Sequence, residues 1–352
     1  MNPFPKITVD GTPYQRGLSY GRQAAGLIAT SLDLFLTPWL ARPRALAAKA
    51  APIRDLIGEH SPALLDEMQG TADGAGLELD QVVALNARME FAATGDGDGC
   101  TAVALPGAAC LGQNWDVVPA VAGVAMLLEI RDDDGPDLIT LVEAGMLCRF
   151  GLNSAGLGLC GNYLQTEHDF EQPGVPVPVL RREILRRSTV EEAVEVVQRA
   201  PRSMSSNYLI AHRSGEAVDL ESTPREVTRI DPAGGRIVHA NHFLGRRTES
   251  VEDRSLARYP DSAARVKRAQ SILSEPARPL GEDDLVRVFT DTDGHPYSIQ
   301  RTATGTGSQG AMETIASLVM NLGEGVLRLA RGPRIGAYHD IPLATAVPGG
   351  GA

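Results

Sequence analysis

A chain of 352 residues that is 43% hydrophobic carries enough apolar material for a substantial core, as one large domain or two ordinary ones. Its 44 acidic and 33 basic residues give a formal charge of -11 with no long basic run, which argues against nucleic acid or an anionic membrane as partner. The opening Met1-Asn2-Pro3-Phe4-Pro5-Lys6 lacks the regions of a signal peptide, and no stretch nears the roughly 18 apolar residues of a membrane span, so a soluble cytoplasmic protein is expected.

In chain order, residues 7 to 94 read as mainly helical. After Asp10-Gly11-Thr12-Pro13, apolar residues recur at helical intervals from Tyr14 to Phe35, Ser61-Pro62 opens a second helix through Met68, and Leu79 to Asn86 starts a third. Arg88 and Glu90 read as an ordinary ion pair. From Cys100 the period becomes alternating, and residues 100–106, 109–117, 125–131, 138–144 and 155–164 read as strands of an antiparallel meander. Two helices follow, Val179 to Arg187 and a second capped by Ser188 or Thr189 that runs to Gln198.

Strands resume at 206–213, 216–222, 225–230 and 236–241, and Thr248 to Tyr259 reads as a charged surface loop. Helices then fit Ser262 to Ser274 and Glu282 to Phe289, before a closing hairpin of 312–321 and 325–330. Runs of strands interrupted by helical pairs predict an α+β fold with helices outside the sheets. No repeat or convincing linker divides the chain, so residues 1–352 are expected to form a single domain.

The stretch that carries chemistry is Gly95-Asp96-Gly97-Asp98-Gly99-Cys100-Thr101, in which a glycine-rich approach ends on a cysteine that opens a strand. If the Gly99-Cys100 bond were cut, Cys100 would carry a thiol and an α-amine on one residue. The amine, with a reference pKa of about 7.7 to 8.0, could take the proton of a thiol near 8.5 without a histidine. The local residues alone favour a plainer reading of Cys100 as a small buried hydrophobe. Cys110, Cys148 and Cys160 lie in apolar contexts without C-x-x-C spacing and read as core residues. His239 and His242 stand three apart on an expected strand, facing opposite ways, so no metal and no organic cofactor are assigned.

Asp98-Gly99-Cys100-Thr101, Gly112-Gln113-Asn114-Trp115-Asp116, Asn153-Ser154-Ala155-Gly156-Leu157-Gly158, Asn241-His242-Phe243 and Ser308-Gln309-Gly310 occur in this order and spacing. Together they resemble the acyl-coenzyme A:6-aminopenicillanic acid acyltransferases, also called isopenicillin N acyltransferases, an autoproteolytic group of cysteine N-terminal-nucleophile hydrolases. The helical region joins the resemblance through Gly17, Gly21, Gly70 and Asn86-Ala87-Arg88-Met89-Glu90. More distantly the chain is similar to bile salt hydrolase and penicillin V acylase.

The resemblance implies a four-layer α-β-β-α sandwich with two antiparallel sheets. It implies self-cleavage between Gly99 and Cys100 into a helical chain of 1–99 and a catalytic chain of 100–352, held together as a heterodimer. It assigns Cys100 as nucleophile, Asp116 as the carboxylate on its amino group, Asn241 as oxyanion donor and Arg301 as a cation near the thiol. Asn162 matches an asparagine near substrate, while Ser222 and Ser308 match serines of processing or acyl transfer. Thr306 stands where the family pattern has a glycine before that last serine.

The expected activity is an amidohydrolase or acyltransferase that moves an acyl group from a small-molecule amide or thioester through a Cys100 acyl-enzyme, with acyl-coenzyme A a candidate substrate. A plain linear-amide hydrolase without transfer, and a binding protein that kept the fold without catalysis, stay open at this stage. With aromatics at only 5%, the acyl pocket is expected to suit an aliphatic or small aromatic group.

Overall fold

The computed structural model describes residues 3–92, 99–246, 251–275, 277–305 and 311–343. A short strand β1 (Lys6–Val9) leads into α1 (Pro13–Leu40). Thr12 caps this helix: its hydroxyl accepts from the Gln15 N–H at 3.4 Å, and the Gln15 side chain accepts the Thr12 N–H at 3.0 Å. Then come α2 (Pro43–His60), α3 (Pro62–Ala75), α4 (Leu79–Asn86) and the single turn α5 (Arg88–Phe91). Gly76, left-handed at φ 70, ends α3.

Fourteen strands among the described residues form two sheets. The eight-stranded sheet runs β1, β4 (Ala125–Ile130), β5 (Leu138–Glu143), β6 (Phe150–Asn153), β7 (Leu157–Cys160), β8 (Ser206–His212), β9 (Ala217–Ser222), β10 (Val227–Ile230). The six-stranded sheet runs β11 (Ile237–His239), β2 (Gly99–Leu105), β3 (Cys110–Val117), β12 (Glu313–Asn321), β13 (Val326–Arg331), β14 (His339–Pro342). The remaining helices are α6 (Val177–Leu185), α7 (Val190–Arg199), a turn α8 (Ser255–Arg258), α9 (Ser262–Ser274) and α10 (Glu282–Phe289).

Strand alternation builds the layers. Met126, Leu128 and Ile130 of β4 face the core shared with α1 to α4, α6 and α7, while Ala125 and Leu127 face the core between the sheets. In β2, Cys100, Ala102 and Ala104 face that inner core, and Val103 and Leu105 pack outward on α9 and α10. The result is the expected four-layer α-β-β-α sandwich. One correction concerns the sheets: β1 pairs parallel with β4, so the larger sheet is mixed and only the smaller is wholly antiparallel. No single helix among the described residues is long and apolar enough to cross a membrane.

Helices α1 and α3 meet through glycines. A Cβ at Gly21 would lie 2.3 Å from the Thr71 carbonyl oxygen, and at Gly70 2.1 Å from that of Tyr14. Both obstacles are backbone, so neither can swing aside. Alanine normally favours a helix over glycine by roughly 0.5–1 kcal/mol, but here overpacking reverses the sign. Gly21→Ala should therefore lower the urea midpoint, with a net loss of about 1–3 kcal/mol; a gain in stability would show that the two helices are not held in this close approach.

Candidate active site

The β2–β3 hairpin carries the site. Its register sets Gly99 opposite Asp116 and Cys100 opposite Trp115, so a separation of sixteen residues in sequence becomes adjacency. The side chains of Cys100 and Trp115 point into the core between the sheets, while those of Thr101, Asn114 and Asp116 point out to the helical side. Trp115 packs edge-on against Phe150, with ring centroids 6.1 Å apart, which agrees with a packing role.

On the outer side, Cys100 is held by its backbone. Its N–H donates to Asn241 Oδ1 at 2.9 Å, and its carbonyl accepts from Arg265 Nη1 at 2.5 Å. Arg265 also donates to Thr101 Oγ1 at 2.8 Å and, through Nη2, to Asn241 Oδ1 at 2.9 Å. Among the described residues the partners of Asn241 Oδ1 are donors only, and Asn241 Nδ2 donates to the Tyr163 carbonyl at 3.1 Å, so the amide can face only one way. Asn241 thus serves the uncut chain as an acceptor for the Cys100 nitrogen.

Asp261 sits between two guanidinium groups, accepting from Arg265 Nε at 2.7 Å and from Arg301 Nη2 on the same oxygen. Burial pushes the Asp261 carboxyl up, but Arg265 and Arg301 outweigh it and hold its pKa below the ordinary range. Arg301 is linked to Asp116 by the Thr314 hydroxyl, which accepts the Arg301 backbone N–H at 2.8 Å and donates to Asp116 Oδ1 at 2.6 Å. Asp116 is wholly buried, and its Oδ2 has no hydrogen-bond partner among the described residues. Burial pushes its pKa up to about 6, against the pull of Arg301 and Arg265. A Cβ on Gly99 would lie 3.3 Å from Asp116 Cβ and 3.7 Å from Oδ2, so the carboxylate stands beside the peptide expected to be cut.

Asn162 belongs to a neighbouring network. Its Oδ1 lies 3.2 Å from His239 Nδ1, and His239 Nε2 lies 2.9 Å from Glu221 Oε1. Burial alone would lower the His239 pKa, but Asp219 and Glu221 raise it above the ordinary value. Ser222 donates its hydroxyl to the Ser206 carbonyl across the β8–β9 pair, at 3.0 Å. Ser308 and Thr306 lie outside the described residues. For Arg88 the structure shows a pair with Glu143 at 3.2 Å, while Glu90 accepts from Ser203 Oγ at 2.8 Å. Among the described residues no group of three or more His, Cys, Asp or Glu is placed to hold a metal ion.

The inner face of Cys100 opens on a cleft with about 540 Å³ of empty space including its mouth, walled by Met89, Met146, Tyr163, Val177 and Met204. Sequence reasoning missed Arg265, Asp261 and Thr314. A signal for Arg265 existed: it shares a helical face with Val266, Ala269, Ile272 and Leu273, all buried, and an arginine on an apolar stripe demands a buried partner.

A family model described as acyl-coenzyme A:6-aminopenicillanic acid acyl-transferase matches residues 104–334, a span that includes Asp116, Asn162, Ser222, Asn241, Arg265 and Arg301. The chain belongs to this family. It is 29% identical over 304 residues to the 40 kDa form of acyl-coenzyme A:6-aminopenicillanic-acid-acyltransferase from Emericella nidulans, covering 84% of each chain. Among solved structures it is similar to a variant of conjugated bile acid hydrolase from Clostridium perfringens, at TM-score 0.48 and 14% identity over 69% of this chain and 92% of that one. It is also similar to penicillin V acylase from Agrobacterium tumefaciens, at TM-score 0.42 and 14% identity over 69% and 86% of the two chains. The chemistry named for the family is acyl transfer.

Of the four cysteines, Cys100 lines the cleft. Burial pushes the Cys110 thiol up to about 12, and raises those of Cys148 and Cys160 as well. Iodoacetamide at about pH 8 should therefore modify Cys100 of the folded protein well before the other three, since the thiolate is the reactive form. Equal labelling of all four, read by peptide mass, would remove Cys100 from an accessible site.

Proposed function

We propose that the chain is an autoproteolytic N-terminal-cysteine amidohydrolase or acyltransferase, cut between Gly99 and Cys100 and acting on amide or thioester donors through a Cys100 acyl-enzyme. The observation that carries this reading is Asp116, a buried carboxylate with an unpartnered Oδ2 beside Gly99. In cleavage, Cys100 Sγ attacks the Gly99 carbonyl carbon, the S–C bond forms, the C–N bond breaks, and the nitrogen takes a proton. Water then hydrolyses the thioester, leaving Gly99 as a carboxylate and Cys100 with a free thiol and amine. The new ammonium arises next to Asp116, giving Oδ2 the hydrogen-bond donor it lacks.

In the mature protein the amine takes the thiol proton and the thiolate attacks the acyl carbonyl. Asn241 Nδ2, in an amide plane locked by Arg265 and Tyr163, is assigned as oxyanion donor. The acyl chain lies against Met89, Met146 and Met204, whose flexible thioethers suit an aliphatic group. The thioester then passes to water or to an amine acceptor.

Processing is tested by mass. Denatured protein should yield fragments of 99 and 253 residues from the 352, the two should co-elute undenatured because α1 to α4 share a core with β4 and β5, and Cys100→Ala should stay whole. A wild-type chain still intact after prolonged incubation sinks the cleavage. In processed enzyme the acid limb of kcat/KM should follow the amine. Asp116 stabilises the ammonium and so raises its pKa; Asp116→Asn should move that limb to lower pH by about one unit. An unmoved limb would detach Asp116 from the amine.

Transfer and hydrolysis are separated by partitioning. With a chromogenic acyl donor and rising amine, transfer product should grow at the expense of hydrolysis while donor turnover stays constant, as a shared thioester requires. If neither amide nor thioester donors turn over and no burst of leaving group appears, the acyl-enzyme is wrong.

A further inference from the structure

A second buried charged cluster joins the two sheets: His239 at the end of β11, and Asp219 and Glu221 on β9. Glu221 Oε1 accepts from His239 Nε2 at 2.9 Å and from the Leu244 N–H at 2.5 Å, while Oε2 accepts the Gly245 N–H at 2.9 Å. One carboxylate thus holds the chain both before and after Asn241. A Cβ on Gly245 would lie 2.9 Å from Oε2, so glycine permits the close approach. Burial pushes the Glu221 carboxyl up, but His239 and the two backbone N–H groups outweigh it and hold its pKa below the ordinary range.

The imidazole carries this grip to a second asparagine. His239 Nδ1 lies 3.2 Å from Asn162 Oδ1, and a carboxamide oxygen can only accept, so Nδ1 bears a proton. Glu221, ionised by its backbone donors, takes the proton on Nε2, and His239 is therefore an imidazolium. Asp219 Oδ2, 3.9 Å from Nε2, is the second carboxylate that faces it. The pKa of His242, on the same turn, is lowered by burial and then by His239.

With Oδ1 taken by a cation that can only donate, Asn162 turns its Nδ2 away from His239. That nitrogen is buried and has no partner among the described residues. Gly161 and Tyr163, on either side of Asn162, line the cleft, and the Tyr163 carbonyl is the acceptor for Asn241 Nδ2. Arg265 orients Asn241 by the same device, a donor-only cation on Oδ1.

We propose that Glu221 and His239 are positioning residues of acyl transfer: one buried ion pair that fixes the turn carrying Asn241 and leaves Asn162 with its donor, not its acceptor, available. Neither residue touches the reacting atoms; both act through the asparagines. This rests on the acyl-enzyme reading above, in which Asn241 is the oxyanion donor, and deepens it.

In processed enzyme, counted per cut molecule by mass, Glu221→Gln should lower kcat roughly ten- to a hundredfold with KM within about threefold, because a displaced donor costs the transition state more than the ground state. His239→Gln should fall in the same range, and the double variant should cost no more than the worse single one, as expected of two parts of one unit. If both single variants keep kcat within about twofold of wild type, or if the double loss is the product of the single losses, the proposal is overturned.

Two readouts need no turnover and use Cys100→Ala, which stays uncut. By nitrogen NMR at about pH 7, where an unperturbed histidine is mostly neutral, the His239 ring should carry a proton on each nitrogen. A singly protonated ring overturns the proposal, and this measurement holds even where Glu221→Gln does not fold. Adding Glu221→Gln should make the side-chain amide protons of Asn241 exchange with solvent about tenfold faster or more, while those of Asn153, held by the Leu185 and Arg187 carbonyls, stay as they were. Equal acceleration of both would make Glu221 a support of the whole fold and end the proposal. If the ring and exchange results hold while no donor turns over, the acyl-enzyme fails and the clamp on Asn241 stands. If donors turn over and Glu221→Gln and His239→Gln keep their kcat, the clamp fails and the acyl-enzyme stands.

Discussion

One buried guanidinium fixes the position of Cys100. Arg265 donates to the Cys100 carbonyl, the Thr101 hydroxyl, the Asn241 amide oxygen and Asp261, so it ties the first residues of β2 to the segment after β11 and to α9 itself. Burying such a cation is tolerable only because Asp261 neutralises it and neutral acceptors take its other protons. Asp261 also holds the Arg301 guanidinium, and the Arg301 backbone N–H reaches Asp116 through the Thr314 hydroxyl. Two arginines and two aspartates therefore balance when Asp116 is ionised. Removal of any one leaves a buried charge unanswered, so these four groups behave as one unit.

Much of this fold was legible because its signals are local. Helices α9 and α10 occupy the ranges expected from the sequence, since acidic residues open α10 and buried apolar residues recur along both. Asp116 was named through the family resemblance, and the hairpin register that sets it opposite Gly99 converts a spacing in sequence into adjacency. What escaped is short or broken: β1 and β6 have four residues each, β14 ends on a proline, and α2 carries Pro52 in its interior. The α1 helix runs past Pro38 to Leu40, although an expected end at Phe35 precedes that proline.

The site was less legible than the fold. Asn241 and Arg301 could be named from motifs, yet their contacts join positions far apart in the chain, and no local pattern says that Asn241 turns its oxygen to the Cys100 nitrogen. Arg265 lies 165 residues from the carbonyl it anchors, and Thr314 lies 198 residues from the carboxylate it serves. Such pairings depend on how α9 and β12 settle on the hairpin. The same limit hid the burial of Arg181 Nε without an acceptor among the described residues, since a missing partner leaves no trace in sequence.

The geometry also bears on the proposed release of Cys100 as a chain start. Alternation in β2 sends Cys100 Sγ to the inner face, toward the cleft, while Asp116, Arg265 and Arg301 lie on the outer face of the same sheet. The sheet separates the thiol from the polar network, so no side chain in that network is aimed into the cleft to take the thiol proton. The Cys100 nitrogen lies in the plane of the strand between them and already bonds to Asn241. Released as an amine, it would be tuned by the outer charges and still be covalently tied to the thiol it must deprotonate. Cys100 therefore joins an outer face, on which Asp261 and Asp116 answer Arg265 and Arg301, to an inner cleft lined by Arg88, Arg149 and Arg181, and the proposed cleavage and acyl transfer would draw on these two faces separately.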